Sequence, residues 1–447
     1  MFKKVFNLIR NKHFLSLAGN IIMSGLGLVT TTLIYRALPQ DSMGNWVLFL
    51  SNLLFIDTIR SGFLTTAFIK FFAGSSEERS AEVAGSAWFI GAVISGILAL
   101  IGLCSYPFLH LIKGDGYRLF FQFSGLYYLI SLPWFMATCM VQGQQKFDRL
   151  LYIRFCNQGS YIVFIIALMV TGRATIHAIL ASYLVSSSLT TVFVLIKGWS
   201  GISNLKHRTK AGILEIYHFG KFSVGSSLSS NMFSFSDVQI INTLLGASAL
   251  AIYNLGQTLM QLVEIPLRSF SATGMPELSA AYNQGNRELV IHTMKRYAGM
   301  LAVVLIPIVI IGCALADLPI YIIGGGKYVG TEAANVFRLF LSFAIIFPPD
   351  RFFALTLDVI HQPKINFYKV LVMLAVNIAT DFLGIYLTGS VYGIAFATVF
   401  PILTGTIIGY WALNRYSKFT YWSIFKTGFY EVKLFLKSHS RKKAVNA

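Results

Sequence analysis

Apolar runs of span length follow one another along almost the whole chain, with short polar breaks between them. A bilayer's hydrocarbon core takes about 20 mostly apolar residues in helical form. Twelve such runs are legible, at 15–38, 43–72, 85–112, 117–142, 150–171, 174–197, 219–245, 247–275, 298–324, 332–358, 365–388 and 391–414. The breaks carry turn formers: Gly44, Gly114 and Gly116, Thr171-Gly172, Gly246, Gly324-Gly325-Gly326 and Thr388-Gly389. Pro133, Pro266 and Pro307 fall inside or near span ends, where a helical bundle tolerates kinks. The first run carries no small-residue cleavage signature and reads as a retained span. The pattern predicts an all-α integral membrane protein of about 12 transmembrane helices.

Composition agrees. Of 447 residues, 55% are hydrophobic and only 12% charged, with a mean hydropathy of +0.65; a soluble chain carries about a quarter charged residues. The formal net charge is +18, but the basic residues sit in short segments between apolar runs. About 27 of them share a side with both termini and about five lie opposite. The positive-inside rule therefore places both termini in the cytoplasm, where the lysines meet anionic lipid. None of the basic stretches is long enough for a nucleic-acid groove. Cys104, Cys139, Cys156 and Cys313 lie within apolar runs and read as buried thiols, with neither disulfide nor zinc spacing. The sequence calls for no metal and no cofactor, and it shows no nucleotide, zinc-protease or serine-nucleophile motif.

The two halves echo each other, as in many secondary transporters. Shifted by about 207 positions, Ser16, Asn20, Ser24, Gly27 and Thr30 fall on Ser223, Ser227, Asn231, Ser234 and Asp237. Each set steps by three or four residues and so follows one helical face. At a shift of about 217, Gln145 meets Gln362 and Thr171-Gly172 meets Thr388-Gly389. The expected organisation is a basic amphipathic N-terminus (1–14), an N-lobe (15–197), a cytoplasmic linker (198–218), a C-lobe (219–414) and a basic amphipathic tail (415–447). The two lobes, of six helices each, would be pseudo-symmetric around a central cavity. In the tail, Trp422, Phe425, Phe429, Val432 and Leu436 form a stripe suited to the membrane interface, or to a partner helix. The linker carries a weaker version with Ile202, Leu205, Ile213 and Leu214.

A charge at the bilayer centre costs roughly 2.5–3.5 kcal/mol even on lenient scales. Asp57 and Arg60, spaced i,i+3, and Glu264 and Arg268, spaced i,i+4, can each pair on one helix face at matching places in the two halves. Such pairs either bind helices together or line an aqueous cavity. In a cavity Arg60 and Arg268 would bind an anion, with Asn20, Ser24, Ser227, Asn231 and Ser234 as polar lining. Asp57, Asp237 and Glu264 would act as partner or coupling acids. Guanidinium suits phosphate because its planar donor fork matches two phosphoryl oxygens. Asp317 and Asp381 show no obvious partner in the sequence.

Three stretches carry a family resemblance. The turn Tyr35-Arg36-Ala37-Leu38-Pro39-Gln40-Asp41-Ser42-Met43-Gly44 resembles that between the first two spans of Wzx-type polysaccharide flippases. Leu245-Gly246-Ala247-Ser248 through Tyr253-Asn254 resembles the start of their eighth span, and Ile306-Pro307 through Gly324 to Tyr328 their ninth span and its exit. These flippases belong to the MOP superfamily, with the MATE exporters and the MurJ lipid II flippases. The likeness covers roughly 15–414. It implies alternating-access transport, across a bacterial inner membrane, of an oligosaccharide linked to undecaprenyl pyrophosphate. On that reading Arg60 and Arg268 hold the pyrophosphate, H+ or Na+ is a candidate coupling ion, and the chain is a monomer that can associate with a glycan polymerase or glycosyltransferases. A MATE-like exporter of small molecules is the alternative. A membrane-embedded glycan polymerase or acyltransferase is the rival from another class.

Overall fold

The computed structural model describes residues 12–72 and 74–445, without the side chains of 12–21, 226, 435, 436 and 438–445. Most of the basic N-terminus, the side chain of Asn20 and that of Leu436 therefore lie outside the described residues. The described chain is helical: α1 (Lys12–Ala37), α2 (Gln40–Phe72), α3 (Glu77–Ser105), α4 (Asp115–Gly143), α5 (Phe147–Val170), α6 (Ile176–Ile196), α7 (Lys210–Leu244) and α8 (Ala247–Asn283). There follow α9 (Arg287–Ala314), α10 (Asp317–Gly324), α11 (Ala333–Phe343), α12 (Phe347–Val359), α13 (Pro363–Thr388), α14 (Val391–Ala397), α15 (Val399–Tyr416) and α16 (Ser423–Val445). Among the described residues, nine helical segments are long and apolar enough to cross a membrane. The helices at expected spans 1, 7 and 8 are 26, 35 and 37 residues long but stand outside those nine. Spans 7 and 8 are where the polar face and the Glu264–Arg268 pair fall.

The chain folds as two compact units, Met1–Val238 and Gln239–Ala447. In the first, α3 packs along α4, α4 along α2 and α6, and α5 along α6 and α1. Its core joins Leu64 and Phe68 of α2, Ala84 and Trp88 of α3, and Met136 and Cys139 of α4. Ile216 of α7 also enters that core. The expected linker is largely helical: a 3-10 turn (Ile202–His207) lies on α3, and α7 begins at Lys210, nine residues before the predicted span. Leu205 and Ile216 face the core while Ile202 and Leu214 are exposed.

In the second unit α9 packs along α8, α12 and α16, and α13 along α14 and α15. Three expected spans are interrupted here. The ninth begins at Arg287 and ends at Ala314, where Arg338 Nε donates to Cys313 O at 3.0 Å. The tenth is interrupted by a 3-10 turn (Ala344–Ile346) between α11 and α12, just before Pro348 and Pro349, which lack the amide hydrogen a continuous helix needs. The twelfth is split at Thr398, where the ring of Pro401 crowds the carbonyl four residues back. The tail helix α16 docks on α9, but not by the predicted stripe. Trp422 and Phe429 are exposed, whereas Ile424 and Gly428 are buried. A β-carbon on Gly428 would lie 2.0 Å from Gly299 C, so two glycines let the helix backbones touch.

Among the described residues, the non-glycine residues with positive φ are Gln145 (55°) and His361 (57°), each in the turn after a helix. In both turns the next amide reaches back five residues, Lys146 N to Val141 O at 3.0 Å and Gln362 N to Leu357 O at 2.8 Å.

Candidate functional site

Arg60 sits on α2 where α4 crosses it, and its side chain is completely buried. Its Nη2 lies 2.7 Å from Asp57 Oδ1. Its Nη1 donates to Tyr128 O at 3.2 Å and to Ser131 Oγ at 3.0 Å. The guanidinium lies over the Phe135 ring, 4.6 Å from its centroid. The contact with Asp57 is electrostatic, without hydrogen-bond geometry, and Arg60 Nε has no acceptor among the described residues. A guanidinium so enclosed joins two helices and presents no open fork to a ligand. The surroundings include a tyrosine cluster that periodicity did not single out. Tyr127 stacks on Tyr183 at 5.3 Å, Tyr183 meets Tyr161 edge-on, and Trp46 caps the group. The Tyr127-Tyr128 doublet was its only trace in the sequence.

Glu264 and Arg268 also pair, at 2.6 Å, but their side chains are 48% and 75% exposed. No described residue other than Glu264 bonds Arg268. The two pairs match in sequence and differ in setting. An unpacked guanidinium in the middle of a 37-residue helix is tolerable in a membrane protein only where water or an anionic ligand meets it. The polar face of α7 is likewise open. Asn231 and Ser234 are exposed, Ser227 is half-buried, and Asn231 Nδ2 donates to Ser227 O at 2.9 Å. Asp237 is buried. Ser24 on α1 is exposed. Arg60, Asp57, Ser24 and the α7 face belong to the first unit, Glu264 and Arg268 to the second.

The second unit also holds buried charges. Lys369 lies within α13, almost fully buried, with Nζ 2.6 Å from Asp350 Oδ1 of α12. Farther along α13, Asn377 Nδ2 donates to Asp381 at 2.9 Å, and both are buried. The expectation that Asp317 and Asp381 lack partners is thus corrected: Asp381 has Asn377, and Asp317 pairs with Arg338, which also holds Asn335 at 2.7 Å. Asn377 stands one turn before Asp381 on the same helix, a spacing visible in the sequence, whereas Arg338 reaches Asp317 from another helix. Among the described residues no group of three or more His, Cys, Asp or Glu side chains could hold a metal ion.

These features define a multi-pass α-helical membrane protein. Solved structures share the fold: an inward-facing multidrug resistance MATE family transporter of the MOP superfamily matches with a TM-score of 0.75 at 14% identity, over 92% of this chain and 100% of that one. The lipid II flippase MurJ in an inward closed conformation matches with a TM-score of 0.71 at 14% identity, over 95% and 92% of the two chains. A MOP superfamily transporter from Pyrococcus furiosus, described as having a binding pocket of reverse polarity, matches at 0.57 and 14% identity, over 91% and 94%. None of the curated proteins matches significantly. The sequence profile of polysaccharide biosynthesis proteins matches residues 59–332, more than half of the chain, and the chain belongs to that family.

Proposed function

We propose that this transporter moves an oligosaccharide linked to undecaprenyl pyrophosphate across a bacterial cell membrane, from the cytoplasmic leaflet to the outer one. The observation that carries the proposal is Arg268: charged, exposed, in mid-helix and bonded only to Glu264 among the described residues. It takes the phosphate groups of the lipid carrier, with Glu264 holding its fork when no carrier is bound. Ser227, Asn231 and Ser234 give the glycan and its water a polar surface, to which Ser24 adds. Arg60 is a positioning residue, fixing α2 against α4. Asp57 and Asp237 are the acids through which H+ or Na+ would couple.

The test is Arg268→Ala beside Arg268→Ala/Glu264→Gln, which leaves no lone acid. A bidentate charge-assisted contact contributes roughly 1.5–3 kcal/mol, so carrier binding should weaken by about one to two orders of magnitude. Arg268→Lys should recover only part of it, since a point charge lacks the planar fork. Glycan export at the wild-type rate in both alanine variants rejects the assignment. The MATE-like reading, favoured by the 0.75 TM-score, predicts instead that Arg268→Ala leaves glycan export intact and alters efflux of small cations.

A further inference from the structure

The first unit carries a cleft of about 610 Å³ at its lysine-rich end, away from Arg60 and from the α7 polar face. Its walls are the turn between α4 and α5, the start of α3, and the 3-10 turn Ile202–His207. The positive-inside rule puts this end in the cytoplasm.

The cleft is built. Buried Trp88 donates from Nε1 to Ser200 O at 2.7 Å and fixes the segment before the 3-10 turn. A β-carbon on Gly85 would stand 2.2 Å from Asn204 O, so only glycine in α3 lets that backbone lie so close. Asn204 is thereby held at the cleft wall. In the turn between α4 and α5, Gln145 adopts its left-handed conformation, and the side chains of Gln144 and Gln145 are exposed in the cleft wall. Phe72 and Met140 supply apolar surface.

The lining selects a ligand class. Three carboxamides both donate and accept, and the cleft's one ammonium (Lys146) is balanced by its one carboxylate (Glu77). Such a site has no net charge to attract phosphate or a cation. It suits a neutral ligand rich in paired donors and acceptors with a C–H face to lay on Phe72, which is a carbohydrate. Its volume lies within the roughly 300–1,000 Å³ of ordinary ligand sites. We infer that this cleft binds the glycan of the lipid-linked substrate, a few sugars at a time, on the cytoplasmic side and apart from the phosphate contact at Arg268. The inference rests on the glycan-export reading of the transporter and adds a second, sugar-selective contact to it.

The experiment uses the full chain in nanodiscs. The probes are the glycan released by mild acid from the host's lipid-linked pool and undecaprenyl pyrophosphate without sugar. Saturation-transfer NMR should show the free glycan contacting the wild type. Binding should weaken about tenfold or more in Gln145→Gly/Asn204→Ala, which removes two amides and relaxes the left-handed turn. An unchanged melting temperature would show that the variant folds. Arg268→Ala should keep glycan contact, and the sugar-free carrier should not displace it. Undiminished glycan contact in the double variant overturns the inference, as does displacement by the sugar-free carrier or a glycan that never binds the wild type. Loss of export in Arg268→Ala alongside any of these would leave the export reading standing. Glycan bound at the cleft while Arg268→Ala exports normally would reject the phosphate assignment alone.

Discussion

Arg60→Ala should destabilise the first unit severely while Arg268→Ala hardly touches stability. Arg60 is fully buried, and its removal leaves Tyr128 O and Ser131 Oγ without their donor and Asp57 without its counter-charge. Breaking a buried pair from one side costs about 3–5 kcal/mol. Asp57 keeps 21% side-chain exposure, so water partly compensates it and the lower end, about 3 kcal/mol, is expected. The Glu264–Arg268 pair is mostly exposed, and such pairs are worth about 0–1 kcal/mol. Replacing both members of the inner pair, as Asp57→Asn/Arg60→Met, fills the site with a chain of similar length and should recover most of the loss. Reversible unfolding in mixed micelles, followed by tryptophan fluorescence, reads all four proteins. Equal stability of Arg60→Ala and wild type would refute the placement of Arg60 in the α2–α4 packing. So would a double variant no better than Arg60→Ala alone.

Lys369→Met should lose stability by about 3 kcal/mol through the stranded Asp350, and Lys369→Met/Asp350→Asn should regain most of it, measured in the same unfolding assay. Gly428→Leu should lift α16 from α9, because no side chain fits where the two backbones meet; overpacking costs about 1–3 kcal/mol. Limited proteolysis should then cut α16 faster than in the wild type, and an unchanged digest would rule out the docking. Cysteines replacing Ser203 and Asn286 should resist impermeant thiol reagents in intact cells and react after permeabilisation. Labelling of the Asn286 position from outside would invert the topology of the second unit.

The two arginines mark the limit of what a sequence read alone could reach. In both halves an acid precedes an arginine by one helical turn within an apolar run, so spacing predicted each pair correctly: 2.7 Å in one, 2.6 Å in the other. What spacing cannot supply is the neighbour. The groups enclosing Arg60 lie 68 and 71 residues away on α4, and a carbonyl and a serine leave no mark in a hydropathy pattern. Lys369 shows in the sequence only as a charge near the start of an apolar run; its partner Asp350, 19 residues earlier on another helix, does not show. Gly428 was passed over because a stripe is drawn by large residues, while a helix crossing at contact distance is made by the absence of one. The turns at Gln145 and His361 share a left-handed residue and a five-residue return bond, but the same bond closes the turns at Gly172 and Gly198, so it sets no register between the halves. An intramembrane charge therefore identifies a position of consequence from sequence, but only the packing against it decides its part. Enclosed on all sides, Arg60 can serve the fold. Arg268, with one face toward Glu264 and the rest open, is the one we propose meets an anion.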